Sequence, residues 1–283
     1  MNRAIVVGAD GSDAATAAVE WAADDATRAA ASLHIVHVVD RSPYEIARFS
    51  IPGQADAIAL SARNVLTDAE AVARKRQPGI DVTSELMEGA AAAVLRGQAG
   101  NAGAIVIGGT GLGGFPGAVL GSVSAHVAGH AHGPVVIVRS DPGITHGEIV
   151  IGLDDYHAGE PALAYAFEQA MLRASMLRVI YAWQPPAHAH IAESVHDLDE
   201  IHAAQCRIAA RILLGWRQRY PQVRVVEDVQ QNHPVHALTS ASEKSDLVIV
   251  GSQGRGAIGT VMLGSVALGV LHHARNSVAV VRA

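Results

Sequence analysis

The sequence holds a single cysteine, Cys206, so no disulfide forms within the chain. A disulfide-stapled secreted scaffold is excluded, and a reducing compartment is expected. Aromatic residues make up only 4% of the chain, so any core must be assembled from Val, Ile, Leu and Ala. No uninterrupted apolar run is long enough to span a bilayer. Met1 to Asp10 lead directly into a strand pattern and a turn, without the organisation of a signal peptide. There is also no basic excess. The 21 Lys and Arg against 27 Asp and Glu give a formal net charge of −6, which argues against a general nucleic-acid binder. These absences lead us to expect a soluble, cytoplasmic protein with neither nucleic acid nor membrane among its partners.

What is present is aliphatic material and glycine. Apolar residues are 49% of 283, enough for two cores in two domains of about 140 residues each. The glycines are not scattered. Gly251 and Gly254 follow the apolar run Leu247 to Val250, and after nine intervening residues come Gly264 and Ser265. The same spacing occurs earlier, with Gly108, Gly111, Gly121 and Ser122, at an offset of 251 − 108 = 143. Asp10 after Ala4-Ile-Val-Val-Gly-Ala matches Asp154 after Ile149-Val-Ile-Gly-Leu, at 154 − 10 = 144. Pro134-Val-Val-Ile-Val-Arg139 matches Ser277-Val-Ala-Val-Val-Arg282, at 282 − 139 = 143. A period this long implies tandem domains rather than solenoid repeats.

Within each copy, short apolar runs alternate with helical periodicity. Strands are predicted at Ala4–Val7, His34–Val39, Asp81–Leu86, Ala104–Ile107 and Val135–Val138, then at Glu148–Gly152, Leu177–Ala182, Arg224–Val229, Leu247–Val250 and Val278–Val281. Helices are predicted at Asp13–Ala31, Ala55–Arg76, Ala90–Ala99 and Val123–Ala131, then at Gly159–Ala174, Glu193–Tyr220, Val235–Glu243 and Val266–Ala274. The strands carry apolar residues on both faces, as buried parallel strands do. The expected fold is α/β, two tandem doubly wound five-stranded parallel-sheet domains. Their expected spans are 1–140 and 148–283, joined by a short linker at 141–147 where Pro142, Gly143 and Gly147 interrupt both patterns.

A strand, a glycine-rich loop and a helix start, in that order, make a place for phosphate. Glycines let the backbone approach a ligand closely, and a helix N-terminus offers unpaired N–H groups and a partial positive charge. A lone glycine pair reads more simply as a tight turn without a ligand, but the duplicated spacing weighs against that. Ser122 and Ser265 have two readings, as helix caps or as hydroxyl donors to phosphate. The stretches are neither a P-loop, for no Gly-Lys-Ser/Thr follows, nor a Gly-x-Gly-x-x-Gly fingerprint after the first strand. Asp10 and Asp154 close their first strands. Each is either the acceptor of an Asx turn or a carboxylate beside the loop, placed to hold a ribose hydroxyl or a base amino group.

These residues resemble the ATP-binding subgroup of the universal stress protein family. The family pattern Gly-x2-Gly-x9-Gly-Ser/Thr is matched twice, Val-Gly-Ala-Asp10-Gly-Ser resembles its opening, and Pro-Val-Val-Ile-Val-Arg139 its closing strand. The resemblance spans nearly the whole chain and implies the adenine nucleotide α-hydrolase-like architecture with one ATP per domain. In the first copy it places adenine near Asp10 and Val38, and phosphates on Gly108, Gly111, Gly121, Ser122 and Val123. In the second it implies Asp154, with phosphates on Gly251, Gly254, Gly264, Ser265 and Val266, joined by Arg255. It also implies pairing of the two halves through their last strands, and homo-oligomers. The copies differ. The second has Asp154-Asp-Tyr-His where the first has Asp-Gly-Ser, Ala182 where the first has Val38, and Arg255 where the first loop has no basic residue.

The resemblance favours a nucleotide-dependent regulatory module of the stress response. The rival is a slow Mg²⁺-dependent ATP hydrolase or phosphotransferase, which needs a positioned base that neither loop supplies. Mg²⁺ would arrive with the nucleotide, held by phosphates and water. An adenylating enzyme is disfavoured, because its phosphate loop would follow the first strand. No catalytic residue and no protein metal site is expected. His188, His190, His196 and His202 lack a cysteine partner or a two-histidine-plus-carboxylate spacing, and Arg207, Arg211, Arg217 and Arg219 read as a solvated helix face.

Overall fold

A computed structural model describes residues 3–40, 54–111, 120–139, 145–154, 159–184, 195–253 and 263–282. The chain divides into two compact units, Met1–Ile144 and Thr145–Ala283.

The first unit runs β1 (Ile5–Gly8), α1 (Asp13–Arg28), β2 (Leu33–Val39), α2 (Gln54–Arg76), β3 (Val82–Glu88), α3 (Ala91–Gln98), β4 (Ala104–Gly108), α4 (Ser122–His130) and β5 (Gly133–Val138). Its strands lie in the order β3-β2-β1-β4-β5, and every pairing is parallel. The chain winds outward from β1 to β3, then returns to β4 on the other side of β1. With right-handed crossovers this puts α1 and α2 on one face and α3 and α4 on the other. The reversal between β1 and β4 is where an open α/β sheet leaves a crevice beyond its carboxyl edge. β1 and β4 are buried throughout, as the two-faced apolar runs require, whereas β3 has only half-buried and exposed positions. Leu33, Ile35, Ile105 and Ile137 fill the centre.

The second unit repeats the scheme: β6 (Glu148–Gly152), α5 (Glu160–Leu172), β7 (Met176–Trp183), α6 (Val195–Arg219), β8 (Val225–Gln231), α7 (Pro234–Ser242), β9 (Leu247–Gly251), α8 (Ser265–His273) and β10 (Ser277–Arg282). Its order is β8-β7-β6-β9-β10, again parallel. His146 and Gly147 are held at the start of this unit, where their amides donate to the two carboxylate oxygens of Asp246 at 2.6 and 2.9 Å. Its core departs from a purely aliphatic one. Phe167 is fully buried and stacks on Trp216 and Tyr220, with centroids 5.6 and 5.4 Å away. Ala23 stands at the matching place in the first unit, at 167 − 23 = 144.

In the first unit, polar contacts fasten α1 to α2. The Arg76 guanidinium donates to both oxygens of Asp24, at 2.8 to 3.2 Å, and Gln77 adds a bond at 2.7 Å. Burial alone would raise the Asp24 pKa. The hydrogen bonds from Arg76 and Gln77, with the charges of Arg76 and Arg28, outweigh it and hold the carboxyl below its ordinary value. The sequence pattern overruns the helix ends. α1 stops at Arg28 and not Ala31, because Ala30 takes a left-handed conformation with φ 48°. Ala31 then donates to Ala26, as a Schellman turn requires. Ala174 ends α5 the same way, with φ 49° and a bond from Ser175 to Ala170.

Candidate functional site

The carboxyl edge of the first sheet gathers the expected residues in register. Gly8 pairs with Val36, so Asp10 and Val38 each stand two residues further along adjacent strand ends. Val7 pairs with Val106, which brings Gly108 to the same edge. Asp10 is half-buried, and its Oδ1 accepts from both the amide and the hydroxyl of Ser12, at 3.0 and 2.6 Å. Ser12 in turn caps α1 by accepting from the Ala15 amide at 3.1 Å. The Asx turn is therefore real. It does not exclude the ligand reading, because the same carboxylate also faces the glycine loop. A β-carbon on Gly111 would lie 2.5 Å from Asp10 Oδ2. A side chain at 111 would have to push the Asp10 carboxylate aside.

Gly108 plays a different part from the one its motif suggests. A β-carbon there would sit 2.7 Å from the main-chain carbon and oxygen of Ala14, so Gly108 seats β4 against the first turn of α1. Among the described residues a β-carbon on Gly251 would find only Gln253 O, at 3.5 Å, an ordinary contact; Ala158, at the place matching Ala14, lies outside the described residues.

Main-chain bonds close the loop at its base. Gly109 donates to Val138 O at 2.9 Å, and Gly121 donates to Gly109 O at 2.7 Å. The second unit repeats both bonds at the matching positions, Ser252 to Val281 O at 2.9 Å and Gly264 to Ser252 O at 2.8 Å. After each closure a helix begins at once. Gly121 and Gly264 are the N-caps, in extended conformation and without a side-chain cap. Ser122 and Ser265 thus occupy the first helical position, and the cap reading of their hydroxyls is corrected. Both serines are exposed, and Val123 and Val266 beside them are half-buried. The first intrahelical bonds run from Ala125 to Gly121 and from Leu268 to Gly264. The amides ahead of them form the electropositive ends of α4 and α8.

Sequence reasoning missed two polar groups. Ser124 is buried and donates from Oγ to Gly108 O at 2.7 Å, tying α4 to the start of the loop; Ala267 is its counterpart in the second unit. His37 places Nδ1 2.7 Å from Ala9 O, beside Asp10. A polar residue near the end of the apolar run Leu33 to Val39 was the one available signal for His37.

Asp154 is half-buried beyond β6, where Leu153 donates to Ile180 O at 2.8 Å. Gly254 and Arg255 lie outside the described residues, as do 112–119 of the first loop. A cavity of about 300 Å³ lies on the α1–α2 side of the β1 turn, lined by Ala9, Gly11, Ala15, Val19, Val65 and Ala69; among the described residues, Asp10 and Gly108 to Gly111 are not part of its lining. Arg207, Arg211, Arg217 and Arg219 are exposed along α6. Among the described residues no group of three or more His, Cys, Asp or Glu is placed to hold a metal ion, and no helix is long and apolar enough to cross a membrane.

The arrangement can hold a phosphate or another anion: a helix N-terminus follows the closure of the loop, and a carboxylate at the β1 edge stands beside Gly111. Comparison with known proteins agrees with the architecture. A universal stress protein of Mycobacterium tuberculosis is 33% identical over 289 residues, covering 98% of this chain and 96% of its own. One of Mycolicibacterium smegmatis is 31% identical over 292 residues, covering 98% and 96%. The crystal structure of a universal stress protein from Archaeoglobus fulgidus shares the fold, with a TM-score of 0.72 at 19% identity over 99% of this chain and 96% of that one. The model of the universal stress protein family matches residues 1–139 and again 146–282, and the chain belongs to that family.

Proposed function

We propose that the chain binds ATP, one molecule in each of domains 1–140 and 148–283, and works as a nucleotide-dependent regulatory module of the stress response. The observation that carries this reading is the approach of Gly111 to Asp10 Oδ2, which joins the β1 carboxylate and the glycine cradle in one site at the switch point of the sheet. In the first domain Asp10 and Val38 hold the nucleoside, and Gly111, Gly121, Ser122 and Val123 the phosphates. Gly108 contributes by setting the position of α1. In the second domain Asp154 takes the nucleoside end, and Gly251, Gly254, Arg255, Gly264, Ser265 and Val266 the phosphates. The amides at the starts of α4 and α8 supply donors that cost no reorganisation when an anion arrives. Mg²⁺ comes with the nucleotide, coordinated by phosphate oxygens and water.

As a cytoplasmic regulator, the protein changes its self-association or partner binding only so far as ATP prefers one of its states over another. Mass spectrometry of the nucleotide released on denaturation, with titration of the emptied protein, tests the proposal. About two adenine nucleotides per chain are expected, and absence of binding in both measurements overturns it. Sustained turnover with Mg²⁺ would instead reassign the protein to the hydrolases.

A further inference from the structure

The ladder between β1 and β2 ends on a side chain. Its paired register runs from Ile5 with Leu33 to Gly8 with Val36. Main-chain bonds fix which residues along β2 address which neighbour. Toward β1, the carbonyls of Ser32 and Val36 accept from Ile5 and Ala9, each at 2.9 Å. Toward β3, Leu33 donates to Asp81 O at 2.8 Å, and Val39 O accepts from Gly89 at 3.0 Å. Even-numbered residues therefore bond on the β1 side and odd-numbered ones on the β3 side. By that alternation the next donor to Ala9 O would be the amide of Val38. The imidazole of His37 takes that place, with Nδ1 2.7 Å from Ala9 O. A carbonyl only accepts, so Nδ1 carries the proton and donates. Ala9 precedes Asp10, whose Oδ1 accepts from Ser12, so the imidazole bond stands at the root of the turn that carries the carboxylate.

We propose that His37 is a positioning residue for the nucleoside end of the first site: by donating to Ala9 O it ends the β1–β2 ladder one bond early and leaves the Val38 amide to the ligand. This rests on the adenine-nucleotide reading above. A main-chain donor released from a ladder still needs an acceptor. The ring nitrogens of adenine and the hydroxyl oxygens of ribose are acceptors of the right kind. The second unit repeats the main-chain half of the arrangement. Leu153 donates to Ile180 O at 2.8 Å, just past the last paired residues, Gly152 and Ile180. Its residue at the matching place is Tyr181, at 181 − 37 = 144. The imidazole latch therefore belongs to the first site, and the two copies differ at their nucleoside ends.

Hydrogen exchange at the Val38 amide of the full chain tests this, beside calorimetry with ATP, adenosine and inorganic triphosphate, in wild type, His37→Leu and His37→Asn. In the nucleotide-free wild type this amide is expected to exchange faster than that of Val36, inside the ladder, and adenosine is expected to slow it. His37→Leu leaves Ala9 O to the Val38 amide, so exchange there is expected to slow without any ligand. The same variant is expected to weaken ATP and adenosine alike at one site, by about three- to tenfold, the loss of one hydrogen bond. Triphosphate binding is expected to hold. His37→Asn returns an N–H near the place of Nδ1, and is expected to restore most of the affinity. A Val38 amide as protected as that of Val36 in the nucleotide-free wild type overturns the proposal. So does a loss of triphosphate equal to that of adenosine, or an asparagine variant no better than the leucine one. Should His37→Leu fail to fold, exchange at Val38 in the wild type decides. A wild-type chain that binds no adenine nucleotide overturns the ATP reading itself, and the exchange at Val38 still decides whether His37 ends the ladder.

Discussion

Replacing Gly108 and Gly251 one at a time by alanine sets the two copies against each other. A β-carbon at 108 would stand 2.7 Å from the main chain of Ala14, which is 3.4 − 2.7 = 0.7 Å inside the range of ordinary contact. The obstacle is backbone on a packed helix, so it cannot swing away as a side-chain tip would. Overpacking of this kind costs about 1–3 kcal/mol, against a gain of about 0.4–1 kcal/mol from removing a glycine from the unfolded chain. The net expectation is a loss of about 1–2 kcal/mol for Gly108→Ala, a fall in Tm of roughly 4–8 °C for the first unit. At Gly251 the nearest atom among the described residues would be 3.5 Å away, so on those contacts Gly251→Ala is expected to be neutral or slightly stabilising. Urea and thermal denaturation followed by circular dichroism measure both. Gly108→Ala also pushes on the turn that presents Ser12 to Asp10, so ATP affinity in the first unit should fall with it. No destabilisation from Gly108→Ala refutes the packing role assigned to Gly108, and a loss from Gly251→Ala refutes the neutral expectation there.

Gly111→Ala presses on the tip of Asp10, so it should cost little stability and weaken nucleotide binding in the first unit about tenfold or more; calorimetry beside a melting curve separates the two effects. Asp24→Asn should lower stability at neutral pH by about 2 kcal/mol, since it removes charged hydrogen bonds to a mostly buried group. The folded carboxyl titrates below its ordinary 3.8, so its contribution is complete above that value and is lost as pH falls through the folded pKa. Wild type and variant should therefore converge in acid, and a constant gap down to pH 2 would contradict the assignment. Ala30→Gly and Ala174→Gly relieve left-handed alanines, and each should raise stability by about 0.5 kcal/mol, seen as a higher denaturation midpoint.

The strands and helices were legible because each follows one periodicity and is bounded by turn residues. The overrun of α1 was not avoidable from residues 29–31, three alanines that favour helix. The stop comes from the chain's need to pair Leu33 with Ile5, a tertiary constraint. The meeting of Asp10 with Gly111 was readable through the internal repeat, which tied two distant motifs to one ligand. The task of Gly108 was hidden inside the same motif, for a glycine that admits a phosphate and one that admits a helix backbone look alike in sequence. Ser124 and His37 bond main-chain carbonyls, and no pairing of residue types announces such a partner.

The closure of each loop has a consequence for how the two halves diverge. Its donors and acceptors are amides and carbonyls of residues 109, 121 and 138, and again of 252, 264 and 281. Side-chain drift leaves such a clasp intact. At 109, 121, 252 and 264 only proline would delete a donor. The fifteen-residue stretches can thus exchange their side chains, as Arg255 and the Phe115-Pro116 pair already show, while the same two main-chain bonds close each base. Duplication of such a unit yields two copies of one clasp on a single polypeptide, each loop free to change its side chains without loss of its closure.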